Sequence, residues 1–262
     1  MTIIRAALAF VLVTAYGCAT QPAPDAGLRS EQPTTGEEAQ ERSRARIHTQ
    51  LAAGYMEIGN MGVALEEIKE AQRSDPGYGP AYNVGALIYA ALKEDRLAEQ
   101  SFQRALAINP NDHDANNNYG SFLCDRKREA EAIRHFLAAV RNPLYPNPDR
   151  SYVNAGLCSR RAGNDADAAE YFASALKVRP TEPQALYQLA DMAYSRSDFA
   201  TAKSLLVRLT QAGVATPEVL WLGARVERRL GDRNAEASYA RQLRNRYPDS
   251  AEARALSAGR FE

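Results

Sequence analysis

Five alanines, at positions 64, 98, 132, 168 and 202, stand 34, 34, 36 and 34 residues apart, and the rest of the apolar pattern keeps step with them. Ile68, Phe102, Phe136, Phe172 and Leu206 each follow four positions later, and Ala71, Ala105, Ala139 and Ala175 three further on. Twelve residues ahead of each ladder alanine stands another small residue: Ala52, Ala86, Gly120, Gly156 and Ala190, with Ala224 extending that series by 34. Pro76, Pro110 and Pro180 close three of the units. A chain with such a period stacks like units side by side instead of burying one central core.

Each unit supplies two amphipathic helices too short to be stable alone in water. The small residue on the first helix faces the ladder alanine on the second, so two surfaces poor in Cβ atoms let the backbones approach closely. The larger residue four positions on fills the gap toward the next unit. Proline then ends the second helix, because it lacks a donor and biases its predecessor away from helix. At a period of 34 this pattern resembles the tetratricopeptide repeat, a helix-turn-helix unit. The expected fold is all-α: a tetratricopeptide-repeat superhelix of about six helix-turn-helix repeats over 44–249, then a C-terminal tail over 250–262.

Three departures stand out. The interval between Ala132 and Ala168 is stretched to 36 around Asn142-Pro143-Leu144-Tyr145-Pro146-Asn147-Pro148, which predicts a stiff turn projecting from one edge, with Leu144, Tyr145 and Pro146 at its tip. Gly85 stands where a large apolar residue is usual, which predicts looser packing of the second unit. In the sixth unit Glu236 holds the ladder slot between Ala235 and Ala237, a slip of about one residue.

The N-terminal stretch is of another kind. Arg5 precedes an apolar run from Ala6 to Ala15, and Ala15-Tyr16-Gly17-Cys18 resembles a bacterial lipoprotein signal, too short for a transmembrane span. The reading is a signal peptide over 1–17 and lipidation of Cys18; the alternative is a plain signal peptide with an incidental cysteine. Residues 18–43 are expected to form a tether, Gln21 to Gly36 being rich in Pro, Thr, Ser, Gly and charge, while the charged stretch from Glu37 to Arg46 is expected to begin the first helix. Ala19 in place of aspartate after the cysteine is similar to sequences sorted to the outer membrane.

Charge excludes a general attraction to nucleic acid, since 32 basic side chains balance 32 acidic ones. Arg225, Arg228, Arg229 and Arg233 form a local run that either solvates the last repeat or docks an acidic segment. The three histidines, His48, His113 and His135, fall at helix starts or beside the core position Phe136 and read as surface or boundary residues. No His-Glu-x-x-His pattern, glycine-rich phosphate loop or Cys/His zinc spacing occurs, so neither catalysis, a metal nor a cofactor is expected. Cys124 and Cys158 lie on the first helices of consecutive repeats. They face one another as a disulfide in an oxidising compartment, or remain two buried thiols.

First helices line the concave groove of such a superhelix. The positions expected to be exposed there are Asn83, Leu87, Asn117, Asn118, Ser121, Asn154, Leu157, Tyr187 and Asp191. Side-chain amides pair with both donors and acceptors of a partner backbone, with Leu87, Leu157 and Tyr187 as apolar anchors; alternatively the asparagines only cap or solvate the helices.

Three segments carry a narrower resemblance: Asn117-Asn118-Tyr119-Gly120-Ser121-Phe122-Leu123-Cys124, then Asn142-Pro143-Leu144-Tyr145-Pro146, then Asn154-Ala155-Gly156-Leu157-Cys158. Together with the signal, tether and repeats, they resemble the type IV pilus biogenesis/stability lipoproteins of the PilF/PilW type. The resemblance implies a monomeric outer-membrane pilotin, lipid-anchored and facing the periplasm, that binds secretin subunits and assists their localisation and multimerisation. The competing expectation is a scaffold in outer-membrane barrel assembly or envelope and cell-wall coordination.

Overall fold

The computed structural model describes residues 36–261, and one compact unit beginning at Gln40 carries all of the repeats. Cys18 and the signal and tether residues before Gly36 lie outside the described residues. Helices pair in sequence: α1 (Gly36–Glu57) with α2 (Met61–Ser74), α3 (Gly79–Ala91) with α4 (Asp95–Ile108), and α5 (His113–Asp125) with α6 (Glu129–Val140). Three more pairs follow: α7 (Pro148–Arg161) with α8 (Asp165–Val178), α9 (Pro183–Ser195) with α10 (Phe199–Gln211), and α11 (Pro217–Leu230) with α12 (Arg233–Arg246). A thirteenth helix, α13 (Ala251–Ser257), ends the stack. The fold is the all-α repeat superhelix, and among the described residues there is no strand.

The ladder is buried as its spacing requires: Ala64, Ala98, Ala132, Ala168 and Ala202 are all 0% exposed. Gly120 and Gly156 show why the partner series must be small. A Cβ on Gly120 would meet the Phe136 ring at 2.7 Å, and one on Gly156 the Phe172 ring at 2.5 Å. Gly85 is no loose spot, contrary to the sequence expectation. A Cβ there would come within 3.1 Å of Ile68 Cγ2, so the preceding repeat already fills the space a larger side chain would take.

In the sixth repeat the slip has a definite sense. Gly223, one residue before Ala224, takes the place against the second helix, where a Cβ would lie 2.7 Å from the Tyr239 ring. The spacing of 16 from Gly223 to Tyr239 equals that from Gly120 to Phe136, so Ala235 inherits the ladder slot. Glu236 turns out to Arg228, 3.1 Å away.

α1 starts at Gly36, with the charged stretch 37–46 inside it as expected, so the tether ends before the bound of 43; residues 250–262, assigned to a tail, contain α13. Ser250 caps that helix by accepting from Ala253 N, and Ala253 and Leu256 bury against Leu220, Ala240 and Leu243. A helix of seven residues is too short to show a 3.6-residue period, which hid it. It covers the apolar end of the stack, as a terminal cap must.

Every turn within a repeat passes through one left-handed residue, at 59, 93, 127, 163, 197 and 231. Glycine supplies it at 59, 163 and 231; Lys93, Lys127 and Ser197 adopt it despite their side chains. The helices after Lys93 and Lys127 also begin without a side-chain cap, at Glu94 and Arg128.

Candidate interaction surfaces

The asparagines expected to face a partner are turned into the junction between repeats. Asn117, on α5, is buried; its Oδ1 accepts from Ser151 Oγ at 2.8 Å and from Asn154 Nδ2 at 3.0 Å, both on α7. Asn83, on α3, is likewise buried and accepts from Asn118 Nδ2 at 3.2 Å. The exposed placement of Asn83 and Asn117 is therefore corrected. First helices lie close enough for amides to bond from α3 to α5 and from α5 to α7, and a buried amide must find such partners. Ser121 donates to the carbonyl of Asn117 in its own helix at 3.1 Å. Leu87 and Leu157 are half-buried against the core clusters beneath them.

The same junction carries the cysteines. The structure joins Cys124 and Cys158 with their Cα atoms 5.9 Å apart. A small cavity of about 60 Å³ beside the bridge is lined by Ser121, Asn154 and Leu157 with Asp125 and Arg161, and the last two pair at 2.8 Å.

The stretched turn does two things. Leu144 is 83% exposed and Pro146 is exposed beside it, whereas Tyr145 is only 7% exposed. Tyr145 is thus removed from the projecting tip. Its ring stacks on His113 at 4.6 Å, and its hydroxyl lies 3.1 Å from Ser151 Oγ. Asn142 fixes the turn by donating to the Asn111 carbonyl (2.8 Å) and accepting from Leu144 N (2.9 Å). The two extra residues let the chain reach back to the third repeat before α7 begins.

His135 sits beside this network, bonded through Nδ1 to Asn116 Oδ1 at 2.9 Å. Since the Asn116 amide nitrogen donates to the carbonyls of Pro110 and Asp112, its oxygen is the acceptor and His135 Nδ1 carries the proton. Burial first, then neighbouring Arg134, holds the imidazole below its ordinary pKa.

The arginine run on α11 keeps Arg228 and Arg229 on a solvated face of the last repeat while each guanidinium lies over a ring. Arg225 lies over the Tyr194 ring at 4.3 Å, Arg228 over Phe261 at 4.0 Å and Arg229 over Phe199 at 5.0 Å. Arg228 also pairs with Glu236 at 3.1 Å, and Arg228 and Arg229 remain exposed to water. Tyr187 is half-buried on α9, lining a cavity of about 360 Å³ with Pro183, Val214 and Val219, and burial raises its phenol pKa. Asp191 accepts from Arg160 Nη1 at 3.0 Å.

An apolar cleft of about 430 Å³ between α8 and α10, floored by α9, lies outside the surfaces expected from the sequence. A signal for it existed in the sequence: α8 carries alanine at two successive outer positions, 169 and 173. Among the described residues no group of three or more His, Cys, Asp or Glu could hold a metal, and no helix is long and apolar enough to cross a membrane.

Models of the tetratricopeptide repeat match residues 80–112, 101–134, 130–183 and 156–213. The type IV pilus assembly protein PilF of Pseudomonas aeruginosa is 31% identical over 250 residues, 95% of this chain and 96% of its own length. The chain belongs to the PilF/PilW family. Solved structures agree. That from the functional characterization of Pseudomonas aeruginosa PilF superposes with a TM-score of 0.74 at 30% identity, covering 84% of this chain and 99% of that one. PilW, described as a widely conserved type IV pilus biogenesis factor, gives 0.69 at 34% identity over 81% of this chain and 97% of its own. The PilF/PilW fold therefore extends over nearly all of the described residues.

Proposed function

We propose that this PilF/PilW-family chain is an outer-membrane lipoprotein of type IV pilus biogenesis that binds secretin subunits and promotes their localisation and multimerisation. The observation that carries the reading is end-to-end likeness to a pilus assembly protein, 31% identity over 95% of the chain, rather than a shared repeat alone. The chain acts as a scaffold and not an enzyme. Lipid on Cys18 confines the repeats to the periplasmic face of the membrane and so raises the effective concentration of any subunit they hold. The Cys124–Cys158 bridge suits that oxidising compartment.

Membrane fractionation tests the reading. Cys18→Ala is expected to release the protein from the outer membrane and to leave the secretin mislocalised. Normal outer-membrane secretin multimers in cells lacking the protein would refute the role.

A further inference from the structure

The α8–α10 cleft exists because two side chains are cut back to Cβ. Ala169 and Ala173 stand one and five positions after the ladder alanine. The sibling helices carry Leu65 and Lys69, Glu99 and Gln103, Ile133 and Leu137, and Lys203 and Val207 at those places. Truncation on α8 leaves half-buried Leu176, Leu189 and Leu205 facing open space, with buried Met192 beneath them. The cleft lies where two core clusters meet, since Leu176 packs against both.

Its rim is cationic. Lys177, Arg196 and Arg208 line the opening against a single acid, Asp198, which is engaged in capping α10. Arg208 donates to the Pro180 carbonyl at 2.6 Å, while the side chains of Lys177 and Arg196 have no partner among the described residues. Lining residues recur at helical spacing on both walls, 169, 173 and 176 on α8 and 201, 205 and 208 on α10. An apolar trough of this length between two helices fits the ridge of a third helix, read as anchors at i, i+3, i+4 and i+7.

We propose that the cleft docks an amphipathic helix of a partner protein, seating its apolar ridge between α8 and α10 and pairing flanking carboxylates with Lys177 and Arg196. The cleft's chemistry stands whichever pilus component presents that helix; the secretin reading only names a candidate.

The probe is a labelled synthetic peptide with leucines at i, i+3, i+4 and i+7 and glutamates beside them, followed by fluorescence anisotropy on the full chain. Saturable binding is expected. A169I/A173L, which installs the residues α6 already carries, should weaken it at least about tenfold, equivalent to about 1.4 kcal/mol. K177E/R196E should weaken the glutamate peptide and favour a lysine-flanked one by a similar factor; these exposed changes carry the test if circular dichroism shows A169I/A173L misfolded. Absent saturable binding, equal affinity for a glutamine-flanked peptide, or indifference to both variants would overturn the proposal. So would wild-type self-association that A169I/A173L abolishes, which would assign the cleft to a second copy.

Discussion

The junction between the third and fourth repeats and that between the fifth and sixth join the same kinds of helix by different chemistry. Between α5 and α7 the contact is a buried amide-hydroxyl network plus a disulfide, with Asn117 accepting two bonds from the neighbouring helix. Between α9 and α11, above the apolar cluster that Leu186 and Ala190 share with Leu222 and Val226, the polar contact is guanidinium over aromatic ring, Arg225 on Tyr194, supplemented by Lys203 of α10 donating to buried Glu227 at 2.9 Å. Directional bonds buried away from water fix one geometry and are costly to break. A stacked guanidinium is less directional and contributes less, although Arg225 Nε is itself buried here without a hydrogen-bond partner. The third and fourth repeats are thus tied as a girder, and its last helix, α8, forms one wall of the cleft that opens toward the fifth repeat.

Breaking the girder should have the largest effects. Replacing Cys124 and Cys158 by serine reopens a loop of sequence separation 34, and loop-closure entropy places the loss at about 3–4 kcal/mol, read by denaturant unfolding without reductant. Asn117→Ala leaves Ser151 and Asn154 without their acceptor and should cost about 2–3 kcal/mol in the same assay. Arg225→Ala at the other junction should cost only about 1–2 kcal/mol; a loss as large as that of Asn117→Ala would erase the contrast.

Smaller changes sharpen it. Lys127 holds the left-handed position of its turn at φ 59°, so Lys127→Gly should stabilise by about 0.5 kcal/mol, relief of strain being partly offset by added unfolded-state freedom. His135 gives the smallest effect. Its pKa is lower folded than unfolded, so the unfolded chain binds more protons as pH falls below about 6.5. Stability is complete above that pH and declines as pH drops toward the folded value. Thermal melts from pH 7.5 to 5.5 should show a slight fall in Tm that His135→Phe flattens.

The scaffold was legible in the sequence because ladder burial depends on residue size at fixed spacing. The roles of the polar residues were less so. Asn83 and Asn117 are polar residues on first helices, which from sequence reads as a groove; only the distance between α5 and α7 reveals that their amides are consumed by neighbouring repeats. Tyr145 looked like a turn tip because proline brackets it, yet stacking on His113, 32 residues away in sequence, draws it inward. Arg225, Arg228 and Arg229 read as a charge run, and their aromatic partners lie on α9, α10 and the C-terminal end. Each outcome depends on pairing between repeats, which a period of 34 does not encode.

Hydrogen exchange read by mass spectrometry, on the full chain alone and with purified secretin subunits, distinguishes the cleft from the girder as the place where a partner docks. Slowed exchange over α8, α9 and α10 with α5 and α7 unchanged is predicted, placing the partner on the cleft and leaving the girder as support. Slowed exchange confined to α5 and α7, or none anywhere, would contradict it.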